Sequence, residues 1–367
     1  MLKRLHLRNF TVFADADFEF GPGLNVIVGA NGTGKSHVLK AAYAMIYGAL
    51  DWIRENKIDK ITGQLVAQSD SNTVAHPDTG NKFKKIFQTV DFKLGELIRR
   101  SINVSEIMTG VGIEIKYPHG LVITSVGFTS DGSTAIINLL DKIYENINFL
   151  YPILIPAKEV LTLGWLLALY DRREIPIDEV YPDLLKLLMG PPLRRPEPVH
   201  IVERLQKLIG GKVDEEGGRF YLFTTELPKM EMNMVAEGMR KFATLYKLLA
   251  NGTLTPETTL FWDEPEANLN PALLKEMAAV LAELARAGFQ IILATHSLFL
   301  MKELHILSQK QPLPVRYFGL YTGENGGTQV ETTDNFMQLQ HVAALDAELA
   351  QTFDFEDALD QDYAGDS

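Results

Sequence analysis

Apolar and polar residues interleave from the first position. In "MLKRLHLRNF", Leu2, Leu5, Leu7 and Phe10 are separated by Lys3, Arg4, His6 and Arg8, which predicts a strand over Lys3–Asn9 with one buried face. A second strand is predicted over Asp15–Phe20. The run Leu24–Val28 is apolar throughout and β-branched, as a strand covered on both faces should be. The period then changes. Val38, Leu39, Ala42, Met45, Ile46 and Ala49 recur at helical spacing, giving one apolar helix face. From residue 51 to about 133 the pattern is that of an insertion with hairpin character, since "GIEIKYPHGLVITSVGF" alternates around the turn residues "YPHG". Residues 134 to about 210 read as mostly helical, with "LTLGWLLALY" (Leu161 to Tyr170) as a buried helix and "GPPLRRPEP" as a loop. "GGKVDEEGGRFYLF" predicts a hairpin turning at Glu216–Gly217–Gly218.

A parallel-sheet pattern returns at Thr258. "TLFW" is an apolar strand that ends in Asp263–Glu264–Pro265. Asn270 and Pro271 open a helix with apolar positions at Leu273, Leu274, Met277, Val280, Leu281 and Leu284, and Gly288 closes it. "QIILA" (Gln290 to Ala294) is a further buried strand, ending in Thr295–His296–Ser297. Strands alternating with helices predict an α/β fold with a parallel core. No internal repeat or sustained heptad is visible, so no long coiled coil is expected.

Between the strand Leu24–Val28 and its helix lies "GANGTGKS", which has the spacing G-x-x-x-x-G-K-[ST]. Gly29, Gly32 and Gly34 let the backbone turn tightly, and with Ala30, Asn31, Thr33 and His37 they form the candidate nucleotide cradle. The unpaired N–H groups of such a loop and of the first helical turn converge on an anion. Lys35 adds a full charge for the β- and γ-phosphates, and Ser36 offers a hydroxyl to magnesium. Asp263 is placed to hold the same ion, Glu264 to orient or deprotonate the attacking water, and His296 to contact the γ-phosphate. All three motifs fall at carboxyl ends of predicted strands, where open parallel sheets bind ligands. ATP with Mg2+ is the implied cofactor set.

The chain has 367 residues, 46% of them hydrophobic, enough for one large or two modest domains. It contains no cysteine, which removes disulfides, zinc-thiolate sites and thiol nucleophiles and agrees with a reducing cytoplasm. No segment has the length of a membrane span or a signal-peptide core, so no membrane partner is expected. The net charge is −12 with a clearly acidic tail, which does not favour indiscriminate nucleic-acid binding, although a local basic groove would be compatible with it.

The phosphate loop, "LFWDEPEANLNP", "ATHS" and the intervening "VAEGMRKFATLYKLL" together resemble the ABC-class ATPases of the RecF, SMC and OLD group. The nearest likeness is to compact "AAA-family ATPase" proteins, including subunits of bacterial antiphage defence systems. The resemblance implies an ABC-ATPase head, a P-loop NTPase with a mixed sheet and parallel core. The core would span residues 1–50 and 230–335, with an inserted β-hairpin and helical subdomain over 51–229 and a C-terminal helix and acidic tail over 336–367. It also implies a homodimer in which Gly238, at the signature position, donates its backbone N–H to the ATP of the partner chain. Ala267 to Asn270 would line the dimer seam. Ala236 stands where the family's signature has a serine, so that hydroxyl contact is missing. By the same likeness Gln88 is the candidate magnesium-sensing glutamine, and Arg8 or Phe10 would lie near the base.

A nuclease is not expected. About seventy residues follow His296, too few for a second α/β domain, and Glu114-x-Lys116 fits a solvated strand face. Three functions are compatible with the sequence. The first is an ATPase whose dimer state controls a separately encoded effector such as a nuclease, as in defence modules. The second is a RecF-like repair ATPase acting directly on DNA. The third is a nucleotide-gated scaffold that hydrolyses little.

Overall fold

The computed structural model describes residues 1–55, 73–75, 77–89, 97, 109–117, 120–128, 135–139, 150–170, 172, 175–225, 229–324, 326–341, 346–347, 350–356 and 358. The chain opens with strands β1 (Leu2–Phe10), β2 (Phe13–Glu19) and β3 (Leu24–Gly29), then helix α1 (Lys35–Glu55). Next come β4 (Thr73–Ala75), α2 (Pro77–Phe87), β5 (Thr109–Tyr117), β6 (Gly120–Phe128), β7 (Ala135–Leu139) and β8 (Ile153–Ile155). Helices α3 (Leu166–Tyr170), α4 (Val180–Leu188) and α5 (Val199–Ile209) precede β9 (Lys212–Glu216), β10 (Arg219–Phe223) and β11 (Met230–Glu231). The last third holds α6 (Glu237–Ala250), β12 (Thr259–Asp263), α7 (Pro271–Arg286), β13 (Gln290–Thr295), α8 (Leu298–Lys310), β14 (Val315–Thr322) and β15 (Thr328–Thr333).

Among the described residues, twelve of these strands form one sheet in the order β4-β7-β6-β5-β1-β2-β15-β14-β3-β13-β12-β8. From β14 to β8 all neighbours are parallel, while β1, β2 and β4 to β7 form an antiparallel wing. The segment 51–229 therefore contributes five strands, β4 to β8, to the sheet of the phosphate loop. Strands β9 to β11 form a separate small sheet. Its hairpin turns through Gly217 and Gly218, both with positive φ, as a tight two-residue turn requires.

The parallel strands are apolar throughout because both of their faces are covered. Val26, Val28, Leu260, Trp262, Ile291 and Leu293 belong to one core cluster, together with residues of α4 to α8. Their neighbours Ile27, Phe261, Ile292 and Ala294 belong to the other, with the buried face of α1. Gln290 pins β1 to this core. Its Oε1 accepts from the Leu2 N–H (2.8 Å) and the Thr259 hydroxyl (2.9 Å), and its Nε2 donates to the carbonyls of Leu2 and Gly21.

"LTLGWLLALY" differs from the single buried helix that its composition predicts. It is a 3-10 turn over Leu161–Leu163 and then the five-residue α3, with Trp165 and Leu169 exposed. Gly164 lies between them, so close to the small sheet that a Cβ there would stand 2.2 Å from the Gly218 carbonyl oxygen. Tertiary packing against a neighbouring hairpin, rather than apolar content, sets the length of this helix.

Candidate nucleotide site

The loop after β3 and the first turn of α1 build the cradle. Val38 N–H bonds the Gly34 carbonyl (3.0 Å), and the Thr33 hydroxyl bonds the Ala30 carbonyl (2.9 Å). Gly34 has φ 93°, and a Cβ there would lie 2.6 Å from Val12 and 2.8 Å from Phe13. That position needs glycine both for its left-handed backbone and for the closeness of the β1–β2 turn. Lys35 is buried and folds back over the loop, its Nζ donating to the carbonyls of Gly29 (2.8 Å) and Ala30 (3.0 Å). Burial lowers its pKa, and Glu264, Asp263 and Glu266 oppose that shift.

Asp263 closes β12, beside Ser36. Burial raises its carboxyl pKa, while a hydrogen bond with the Ser36 hydroxyl works against the rise. Its Oδ1 is buried without a hydrogen-bond partner. A hydroxyl and a carboxylate oxygen, with one lone pair set unspent, fit a magnesium ion that keeps most of its shell for water and phosphate. Among the described residues no group of three or more His, Cys, Asp or Glu forms a cation cage.

Glu264 follows with φ 47°, a left-handed conformation that is uncommon for such a residue. Its N–H is held by the Ala294 carbonyl (2.9 Å) and its carbonyl accepts from Lys241 Nζ (2.6 Å). His296 emerges from the adjacent end of β13. Its Nδ1 stands 3.3 Å from Glu264 Oε1 and 3.5 Å from Glu266 Oε1. Parallel pairing sets this meeting, because Asp263 lies opposite Ala294 and Thr295 opposite Val28. The lysine, serine, aspartate, glutamate and histidine singled out from the sequence thus lie along one edge of the sheet.

The other candidates sit further out. His37 packs edge-on against Phe87 of α2, with ring centroids 5.6 Å apart, and burial together with Lys40 lowers its pKa. Gln88 occupies a turn just past α2 with φ 50° and is exposed. Arg8 is exposed on β1 opposite Asp15, and Phe10 is buried in the core cluster of α1. Gly238 is buried in the first turn of α6. A Cβ there would lie 2.9 Å from the Asn268 carbonyl oxygen and 2.9 Å from Leu269, so it packs on the loop after Glu264 in its own chain. Asn268 Nδ2 donates to Glu237 Oε1 (2.8 Å) across the same contact.

Two site residues escape a reading by motif. Glu266 is buried, and its Oε1 accepts from the Thr295 hydroxyl (2.6 Å) and the His296 N–H (3.1 Å). Lys241 brings a buried ammonium from α6 to the Glu264 carbonyl. A signal for Lys241 existed, since it lies at helical spacing with Gly238, Leu245 and Leu248 on the buried face of α6. For Glu266 there was only a third acid beside an expected pair.

Two family models match the chain: "AAA domain, putative AbiEii toxin, Type IV TA system" over residues 118–302, half of the chain, and "AAA domain" over residues 4–150. The DNA double-strand break repair Rad50 ATPase of Archaeoglobus fulgidus is 28% identical over 121 residues, covering 30% of this chain and 14% of that protein. The DNA replication and repair protein RecF of Streptococcus uberis is 39% identical over 71 residues, 19% of this chain and 18% of that protein. The chain thus spans under a fifth of the length of these relatives. Among solved structures, an Smc head bound to the C-winged helix domain of ScpA has a TM-score of 0.53 at 15% identity, covering 92% of this chain and 98% of that one. The Smc head of Pyrococcus furiosus with an extended coiled coil has a TM-score of 0.53 at 13% identity, covering 97% and 99%. At these identities the likeness is one of fold.

Proposed function

The chain belongs to the AAA-domain family, as an ABC-class ATPase of the RecF and SMC group, and from that premise we propose that it binds and hydrolyses ATP in a homodimer whose nucleotide state controls a separately encoded effector. The observation that carries the hydrolytic part is the Glu264–His296 pair beside Asp263, Ser36 and Lys35. Lys35 leaves the loop carbonyls for the β- and γ-phosphates, and the loop N–H groups take the remaining charge. Ser36 and Asp263 would hold magnesium, which would supply positive charge to neutralise the phosphates. Glu264 orients the attacking water and accepts its proton, and His296 faces the γ-phosphate. By the family resemblance alone, Gln88 would join the magnesium shell and Arg8 would lie near the base.

The dimer is supported by α6. Its N-terminus is capped by no side chain, and Ala236 and Glu237 are exposed there. Such an end covers the γ-phosphate of a partner chain, with Gly238 donating its N–H. Because Gly238 packs on its own Asn268 and Leu269, a bulky residue at Gly238 would disturb the chain that carries it. The exposed Ala236 is the better position to block. Lys35→Ala and Ala236→Arg chains should each be nearly inactive alone. Mixed under exchange they should regain a measurable part of the ATPase activity, because one site of the mixed dimer is then built from two intact halves. Mixed dimers that form and stay inactive would sink the composite site.

Control of an effector, as in a bacterial defence system, is supported by the toxin–antitoxin description of the family. An effector that co-purifies with Glu264→Gln in ATP but not with Lys35→Ala is the expected result. The stretches of likeness to RecF and Rad50 favour a second reading, direct action on DNA. Salt-sensitive DNA binding that raises hydrolysis would establish it.

A further inference from the structure

We infer that Glu266 is a positioning residue for hydrolysis, which holds His296 beside Glu264 from the buried side of the site; this rests on the reading of Glu264 and His296 given above. An acid three residues past the end of an apolar strand would ordinarily turn to water. The Glu266 side chain instead is 6% exposed, and its Oε2 is buried with no hydrogen-bond partner. A carboxylate kept dry with one oxygen unspent is costly, and tying two loops together needs only a neutral acceptor. The charge therefore calls for a reason beyond the tie.

Its neighbours supply one. Oε1 grips the end of β13 twice, through the Thr295 hydroxyl and the His296 N–H, and stands 3.5 Å from the same histidine's Nδ1. The imidazole is itself half exposed, and Glu264 Oε1 stands 3.3 Å from the same Nδ1. Glu266 fixes the histidine by its backbone and biases its ring at once, so that Nδ1 faces the two carboxylates and Nε2 is left for the nucleotide. Lys241 from α6 is a further neighbour: burial lowers its pKa, and attraction to nearby carboxylates opposes that shift. Glu266 is the largest of the acidic influences on Lys241, whose ammonium also secures the Glu264 carbonyl. One buried carboxylate thus supports both partners of the Glu264–His296 pair.

The test is a double-mutant cycle on the full-length protein, with ATP binding and steady-state hydrolysis measured separately. Glu266→Gln keeps the shape and an acceptor oxygen for Thr295 and His296 but removes the charge. It should leave the ATP dissociation constant within about twofold and lower kcat about tenfold, the scale of a modest misplacement of a reacting group. Glu266→Ala should lower kcat further, and its loss should shrink on a His296→Ala background to the part that passes through Lys241 and the Glu264 carbonyl. Wild-type kcat in Glu266→Gln would overturn the inference, and so would a Glu266 effect that multiplies independently with His296→Ala. Weakened ATP binding at unchanged kcat would overturn it too. Should Glu266→Ala fail to fold, the cycle is closed with the isosteric Glu266→Gln. Glu264→Gln separates the two claims: if it hydrolyses ATP at the wild-type rate, the site reading itself has failed. If it is inactive while Glu266 and His296 act independently, only the positioning role is lost.

Discussion

At Asp263 the burial that suits a metal ligand works against the unliganded protein. Its carboxyl pKa is raised, so its contribution to stability is full below the ordinary aspartate value and is lost as pH rises through the raised one. At neutral pH the ionised group is therefore a liability that the proposed magnesium and ATP would relieve. Asp263→Asn should leave the melting temperature of the nucleotide-free protein unchanged or raise it, and should abolish the further rise on adding ATP with magnesium. A large drop in the nucleotide-free protein would show that Asp263 is structural. Lys35 is the loop's only full positive charge, and charge-assisted hydrogen bonds contribute about 1.5–3 kcal/mol each. Lys35→Ala should thus weaken ATP binding roughly tenfold to a hundredfold by calorimetry, and unchanged affinity in a folded variant would remove the loop from the site. Glu264→Gln preserves shape and should bind ATP normally while hydrolysing at least about tenfold more slowly, the lower range for losing a general base.

Of the helices α6 to α8, α6 is the one that starts without a side-chain cap. Ala236 takes the N-cap position with extended backbone but gives no side-chain acceptor to the first turn, whereas Asn270 does so for α7 and Ser297 for α8. Ala236→Ser should stabilise the protein by about 1 kcal/mol, the usual gain from an N-cap hydroxyl, read as a shift in denaturation midpoint. The same hydroxyl would face the proposed partner nucleotide, so ATP-dependent dimerisation should strengthen in parallel by sedimentation. A stability gain with unchanged dimerisation would place the α6 terminus outside the interface.

Across the whole molecule, a buried ionic cluster joins segments far apart in the chain. Lys82 of α2 lies 2.5 Å from Asp183 and 3.2 Å from Glu179, all nearly buried, and 3.6 Å over the Tyr47 ring. Tyr43 of α1 donates to the same Asp183 (2.8 Å). Phe87, at the far end of α2, meets His37 next to Ser36, so this helix couples the inserted segment to the nucleotide edge. Lys82→Ala would strand Asp183 in the interior and should cost about 3–5 kcal/mol in chemical denaturation. A cost under about 1 kcal/mol would mean that water reaches the pair. Charge is also unevenly placed: residues 317–367 hold eleven Asp and Glu and no Lys or Arg, nearly the whole net charge of −12. Residues 1–316 are together close to neutral, so overall acidity says little about which surface they present to a partner.

Much of the site was legible because its residues are local. The glycine loop needs a strand before it and a helix after it, both written in hydrophobic period, and Asp263–Glu264 and His296 follow apolar runs directly. Strand ends, the Asn270 cap and the Gly217–Gly218 turn depend on neighbours in sequence, and the structure follows them. What sequence left open depends on residues brought together by folding. The joining of β4 to β8 with the phosphate-loop sheet, the shortness of α3 against Gly218 and the packing of Gly238 on Asn268 are long-range contacts with no periodic signature. Glu266 is the plainest instance. By sequence it is one more acid beside Glu264, and only the parallel register of β12 and β13 carries it beneath Thr295 and His296, out of water.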